Sequence, residues 1–231
     1  MLVTVKRQRG PAEEPYVQTF LYTGERGRRT VMTLLRELNG RAPLTDVDGR
    51  PAEPIAYECS CSQSTCGACA MRNNGRPTLA CAAFLQDIEG DELTLEPLSR
   101  FPVIRDLCVD RDVIEQALCR MDVFTDASSP VHASEQRHLY AVGRCLRCGL
   151  CLEACPPYGT DGAVLGAPFI NELYRVCAEE PSRREALLGA LEYHVTQGCI
   201  GEHACMSVCP VHMPTLASFA KLSHMMDEKY K

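Results

Sequence analysis

Cys145-Leu146-Arg147-Cys148-Gly149-Leu150-Cys151-Leu152-Glu153-Ala154-Cys155-Pro156 decides how the second half of this chain is read. Its spacing, C-x2-C-x2-C-x3-C-P, is the run of two-cluster ferredoxins, in which three thiolates hold one iron-sulfur cluster and the fourth ligates another. Cys155 therefore needs partners elsewhere. The segment Cys199-x5-Cys205-x3-Cys209-Pro210 supplies them, since it repeats the run with Glu202 where the second cysteine would stand. By the same exchange, Cys209 completes Cys145, Cys148 and Cys151 into an all-thiolate [4Fe-4S] site. Cys155, Cys199 and Cys205 remain, and three thiolates most simply hold a cluster one iron short, [3Fe-4S]. A carboxylate bond from Glu202 to a fourth iron is the open alternative, although oxygen suits such iron less well than thiolate. Otherwise Glu202 is a solvated or hydrogen-bonded loop residue.

Upstream stands Cys61-x4-Cys66-x2-Cys69, with Cys81 following after eleven residues. This is the plant-type [2Fe-2S] spacing. Ser60, Ser62, Ser64, Gly67 and Ala68 are the small residues that a loop wrapped around an inorganic core requires. A four-cysteine zinc site is the alternative, but it commonly uses two C-x2-C pairs rather than a triplet and a distant single. Cys59 would be a ligand only in a register that destroys the x4 spacing. The three sets take four, four and three of the 15 cysteines, leaving Cys59, Cys108, Cys119 and Cys177, which read as small buried apolar residues.

The rest of the chain agrees with two cluster-bearing domains, 1–105 and 106–231. Val3 and Val5 alternate with polar neighbours, and Tyr16 to Tyr22 favours a strand. Val31, Leu34, Leu35 and Leu38 recur at helical spacing between a Thr30 cap and a Gly40 stop. Asn73-Asn74-Gly75 signals a hairpin, and Leu93 to Leu98 reads as a last strand. Ser99 to Val109 is an irregular connection, after which the texture is helical. Asp110 to Met121 carries an apolar stripe, Asp126 to Pro130 breaks it, Ser182 and Glu185 form a capping box, and Thr215 caps a helix ending near Lys229.

Several function classes fall away. Met1 leads into Lys6, Arg7 and Arg9 with no apolar stretch, so a secreted disulfide scaffold is not expected. Gly162 to Ile170 and Ala186 to Leu191 are far shorter than the roughly 18–20 apolar residues that cross a bilayer. A formal net charge of −6 lacks the basic field needed for nucleic acid. No Gly-rich dinucleotide fingerprint and no Ser/His/Asp order is present, so bond-making chemistry is assigned to a partner and the chain reads as a one-electron wire.

The combination resembles the iron-sulfur subunit of succinate dehydrogenase and fumarate reductase. The similarity lies in the loop Cys61 to Cys69, the hairpin Asn74-Gly75-Arg76-Pro77-Thr78-Leu79-Ala80-Cys81, and the linker Pro102-Val103-Ile104-Arg105-Asp106-Leu107. Cys145 to Cys151 and Cys199 to Pro210 complete it, so that nearly the whole chain is covered. The resemblance implies an α+β protein, with a β-grasp, plant-type ferredoxin-like domain followed by a helical ferredoxin-like domain. It implies a peripheral place on the cytoplasmic face of a bacterial inner membrane, between an FAD-bearing flavoprotein and a membrane anchor with or without haem b. Succinate and fumarate interconvert on the flavoprotein, the [2Fe-2S] cluster faces the flavin, and the [3Fe-4S] cluster faces quinone.

Two departures from the family pattern matter. Relatives that use ubiquinone place a Trp soon after the position of Cys155 and a His directly after that of Cys199, whereas this chain has no Trp and has Ile200. Menaquinone fits better, with Pro156, Ile200, Glu202, His203 and Lys221 as quinone-side candidates by position; otherwise His203 is a loop histidine and Lys221 a solvated helix charge. Around the first cluster the family's Arg-Ser and Arg-Glu-Gly are replaced by Cys59-Ser60 and Ser62-Gln63-Ser64, which implies an altered cluster environment. Rival readings are a stand-alone electron carrier, which should be soluble alone, and a flavoenzyme subunit with a non-quinone partner such as a thiol-linked fumarate reductase, whose added paired-cysteine domain is missing here.

Overall fold

Six-residue alternation builds the first sheet. In β1 (Leu2–Arg7) Val3 and Val5 are fully buried, and in β2 (Tyr16–Leu21) Phe20 joins them, antiparallel in the register Val3 to Phe20. The computed structural model describes residues 1–125, 130–159, 165–196 and 202–229. The chain divides into two compact units, Met1–Arg111 and Asp112–Lys231.

The first unit adds α1 (Val31–Asn39), β3 (Ala70–Asn73), β4 (Arg76–Leu79) and β5 (Glu92–Glu96). Their sheet has the order β2-β1-β5-β3-β4. Only the central pair β1 and β5 is parallel, which obliges the chain to cross over between them, and α1 lies on that crossover. Thr30 caps α1 by accepting from the Thr33 N–H at 3.3 Å, as its sequence signals, and Val31, Met32, Leu34, Leu35 and Leu38 are buried. The Asn74-Gly75 turn joins β3 to β4 with both residues at positive φ, 47° and 77°. The stretch read as irregular instead contains a small hairpin, β6 (Val103–Arg105) with β7 (Cys108–Val109).

Residues 106–111 remain with the first unit, whereas the sequence places the boundary at 105/106. Asp106 is the reason. Its carboxylate accepts the Gln8 and Ala56 N–H groups at 3.0 and 2.9 Å, and its own N–H donates to the Gln8 carbonyl at 2.8 Å. It also lies 2.9 Å from Arg7 Nε, with both side chains 1% exposed. That N–H is poorly aimed at the carboxylate, so the contact counts as charge pairing. The other Arg7 donors reach Gln18 and the carbonyls of Glu53 and Pro54.

The second unit contains α2 (Asp112–Arg120), α3 (Ala133–Val142), α4 (Leu150–Glu153), α5 (Gly166–Glu179), α6 (Pro181–Thr196), α7 (Ala204–Ser207) and α8 (Thr215–Lys229). α5 is buried nearly all round and packs against α3, α4, α6 and α8. α6 starts one residue before the Ser182 capping box, because Pro181 with its fixed φ suits the first helical position. The proposed break at Asp126 to Pro130 falls mostly on 126–129, outside the described residues. Among the described residues no helix is long and apolar enough to cross a membrane.

Candidate iron-sulfur centres

The loop after Cys61 winds through Ser62, Ser64 and Gly67 at positive φ (54°, 61° and 76°), which turns successive N–H groups inward. Gln63 and Thr65 N–H groups donate to Cys61 Sγ at 3.3 and 3.4 Å, and the Ser64 N–H donates to Cys81 Sγ at 3.2 Å. Cys81 is brought in by α1, whose Met32 N–H binds the Ala80 carbonyl at 3.0 Å, and by the Ala80 N–H bond to the Cys69 carbonyl at 3.0 Å. The sulfurs of Cys69 and Cys81 are 3.4 Å apart. Two thiolates on one tetrahedral metal stand roughly 3.8 Å apart for bonds of about 2.3 Å, so this pair fits one iron. Cys66, whose thiol hydrogen-bonds Cys61, makes the other pair.

The electrostatics of the four differ. The Thr65 hydroxyl, then the Gln63 N–H and the Cys66 thiol, pull Cys61 down to about 6. Burial pushes Cys69 up to about 12. Cys59 is occupied separately: Arg36 donates to its sulfur at 3.0 Å and to Ser62 Oγ at 2.8 Å.

In the second unit one cavity is lined by Cys145, Cys148, Cys151 and the distant Cys209. Cys205 borders the same cavity. Burial raises all three clustered thiols, Cys145, Cys148 to about 11, and Cys151 most strongly, and the charges of the neighbouring cysteines add to it. Arg147 also lines the cavity, with φ +50°. Glu115 at 3.1 Å and Glu172 at 3.0 Å hold its guanidinium, yet its NH1 is buried without a hydrogen-bond partner. An anionic sulfur-rich core bound in this cavity would satisfy that donor. Among the described residues no three Cys, His, Asp or Glu side chains converge as a single-ion site.

Of the third set, Cys155 follows α4, its N–H bonded to the Leu152 carbonyl at 3.2 Å, and Cys205 lies in α7. Cys199 lies outside the described residues, as does Ile200. α4 and α7 begin alike: Gly149 precedes one at φ 83° and His203 the other at φ 59°, and each carbonyl accepts from the residue three positions on, at 3.0 and 2.9 Å. Pro156, Glu202 and His203 are exposed. Lys221 is paired, donating to both Glu135 carboxylate oxygens at 2.8 and 2.7 Å. Of the four cysteines left over, Cys177 is buried and lifted to about 12, and Cys108 is half-buried and lifted to about 11, both by desolvation. Cys119 corrects the expectation of burial, since it is exposed on the outer side of α2.

The sequence does not single out Arg147, Asn171 and Thr215, which line the second cavity, or Glu172, which pairs with Arg147. Only Arg147, inside the motif itself, carried a signal.

Residues 2–116 match a family described as 2Fe-2S iron-sulfur cluster binding domain, and residues 141–213 match the 4Fe-4S dicluster domain. The succinate dehydrogenase iron-sulfur subunit of Bacillus subtilis is 28% identical over 231 residues, covering 95% of this chain and 89% of that protein. The fumarate reductase iron-sulfur subunit of Mycobacterium tuberculosis is 32% identical over 174 residues, 68% of each chain. The chain belongs to the succinate dehydrogenase and fumarate reductase iron-sulfur subunit family. Its fold is shared with a chain of the Mycobacterium smegmatis Sdh1 complex, at a TM-score of 0.76 and 21% identity, covering 100% of this chain and 97% of that one. As an iron-sulfur subunit of this family it serves electron transfer, and its relatives are subunits of oxidoreductase complexes.

Proposed function

We propose that this subunit passes single electrons between the FAD of a flavoprotein partner and membrane quinone, menaquinone in preference to ubiquinone. The observation that carries the reading is the gathering of Cys145, Cys148 and Cys151 with the distant Cys209 in one cavity. In this reading Cys61, Cys66, Cys69 and Cys81 hold [2Fe-2S] in a β-grasp domain. The helical domain holds [4Fe-4S] on Cys145, Cys148, Cys151 and Cys209, and [3Fe-4S] on Cys155, Cys199 and Cys205. Bound, these clusters supply reversible one-electron transfer at potentials tuned by charge, hydrogen bonds and burial.

The chain's own residues do the rest. The inward N–H groups of Gln63, Ser64 and Thr65 stabilise thiolate sulfur, and Arg147 offsets negative charge at the second cavity. Exposed Leu2, Val17 and Leu21, on the outer face of β1 and β2, favour a subunit with a partner over a free carrier. The quinone side, with Pro156, Ile200, Glu202, His203 and Lys221, and a peripheral site on the cytoplasmic membrane face beside an anchor, belong to the same proposal and follow from the family.

Low-temperature EPR on the anaerobically purified protein, with iron and sulfide quantified, tests it. The expected result is a [3Fe-4S] signal in the oxidised sample, joined by [2Fe-2S] on mild reduction. An oxidised sample that is silent with a full iron complement, followed by two interacting [4Fe-4S] centres on reduction, overturns the ligand partition.

A further inference from the structure

A line of polar groups crosses the core of the helical unit that the electron-transfer reading does not use. His138 on α3, Ser218 and Thr215 on α8, and Asn171 on α5 are joined by three hydrogen bonds. Ser218 is fully buried, Asn171 is 3% exposed and Thr215 is 7% exposed.

The direction of every bond is fixed by what its partners can do. Asn171 Nδ2 donates to the Ala167 carbonyl at 2.9 Å, which only accepts, so the amide oxygen faces Ser218. Ser218 Oγ places its one hydrogen on that oxygen, 2.8 Å away and nearer than the Pro214 carbonyl at 3.4 Å, and offers only lone pairs to His138 Nε2 at 2.9 Å. His138 therefore carries its proton on Nε2. The second Asn171 Nδ2 hydrogen goes to Thr215 Oγ1 at 2.9 Å. The Thr215 hydroxyl hydrogen finds no acceptor among the described residues. Thr215 and Asn171 line the same cavity as Cys145, Cys148, Cys151 and Cys209, so every donor runs one way, from His138 to the cavity.

We propose that Thr215 donates this hydrogen to sulfur of the cluster held there, and that His138, acting through Ser218 and Asn171, sets the strength of the donation. The proposal rests on reading the cavity as the four-thiolate cluster site. A hydrogen bond to cluster sulfur favours the more negative, reduced state and raises the potential. His138 is a positioning residue. Glu135 on its own helix, Tyr174 on α5 and Lys221 on α8 face it; its ring meets that of Tyr174 edge-on with centroids 4.6 Å apart, and Arg184 on α6 adds positive charge near Tyr174. Burial, then Lys221, hold the imidazole below its ordinary range, so its neutral form prevails at neutral pH, with Nδ1 unbonded among the described residues. When one electron from an external reductant enters the cavity, one proton from solvent is favoured at Nδ1, and no other bond changes. Acid charges the ring, polarises the line of donors and raises the potential.

The test is an EPR-monitored redox titration of the full, cluster-loaded chain, repeated from neutral to acidic pH. Thr215→Val should shift the four-iron centre to lower potential, while Thr215→Ser keeps it near wild type. The exchangeable proton coupling that ENDOR reveals by comparing ordinary with heavy water should be present in the wild type and missing in Thr215→Val. His138→Gln and Ser218→Ala should flatten the rise of potential with acid. A fully loaded Thr215→Val with wild-type potential and wild-type proton coupling overturns the donation, and an unchanged pH slope in His138→Gln overturns the role of His138. Should Thr215→Val lose its cluster, the two remote variants decide. A wild-type chain with no four-iron centre defeats the cluster assignment instead, a different and separately visible result.

Discussion

In the sheet unit three candidate ligands lie between Cys61 and Cys69, and hydrogen bonds within that loop aim the backbone at their sulfurs. In the helical unit Cys209 reaches Cys145, Cys148 and Cys151 from 58 residues beyond Cys151 (209 − 151), and the walls that exclude water come from α5 and the start of α8. The first site is solved locally and stays half-exposed. The second exists only after tertiary packing. Burial accordingly keeps the thiols of Cys145, Cys148 and Cys151 protonated without metal, whereas Cys61 is poised as a thiolate.

Exchanging ligands breaks the comparison most sharply. Cys209→Ser should lose the four-iron signal and lower the melting of the helical unit, on the ~10 kcal/mol scale of emptied structural metal sites, while the [2Fe-2S] signal persists. Cys61→Ser should lose only its own cluster, with the sheet unit still folded. Calorimetry with EPR reads both, and equal damage from the two variants would erase the distinction. Next, Asp106→Asn leaves Arg7 as an uncompensated buried charge and should cost the sheet unit about 3–5 kcal/mol in urea unfolding, with the helical transition unmoved.

Alkylation sharpens the contrast in chemistry. In cluster-free chain at pH 7, Cys61, near 6, is mostly thiolate and Cys148, near 11, almost wholly thiol. Allowing for the weaker nucleophilicity of the more acidic thiol, Cys61 should react on the order of 100-fold faster with iodoacetamide by mass spectrometry. Its rate should fall only as pH drops through about 6, while that of Cys148 keeps climbing toward 11. Smallest is Thr30→Ala, which removes the α1 cap and should destabilise the sheet unit by about 1 kcal/mol in the same urea experiment.

What could be read from sequence follows the same division. Spacing announced Cys61 to Cys81, the alternation of Val3 and Val5 announced β1, and Thr30 announced α1, because each is a local rule. That Cys209 comes to the cavity of Cys145 also agrees with the sequence, since the ferredoxin run points to an exchange between its two halves. α5 was not: Ala167 to Tyr174 are buried all round, so no polar stripe marks the helix. α3 has few buried residues, only Leu139 and Val142, and escaped for the opposite reason. Asn171 and Thr215 join the second cavity only through packing, as Glu172 reaches Arg147, and no spacing rule connects them.

Asp106 gives the chain a timetable. It fastens residues 7, 8 and 56 together, and the sheet unit is complete once residue 111 has left the ribosome, with every candidate ligand up to Cys81 by then made. Cys209 is translated 98 residues later (209 − 111), so the second site cannot close until well after the sheet unit is made. Synthesis from the N-terminus thus lets the first cluster be delivered to a finished domain while the helical half is still being made.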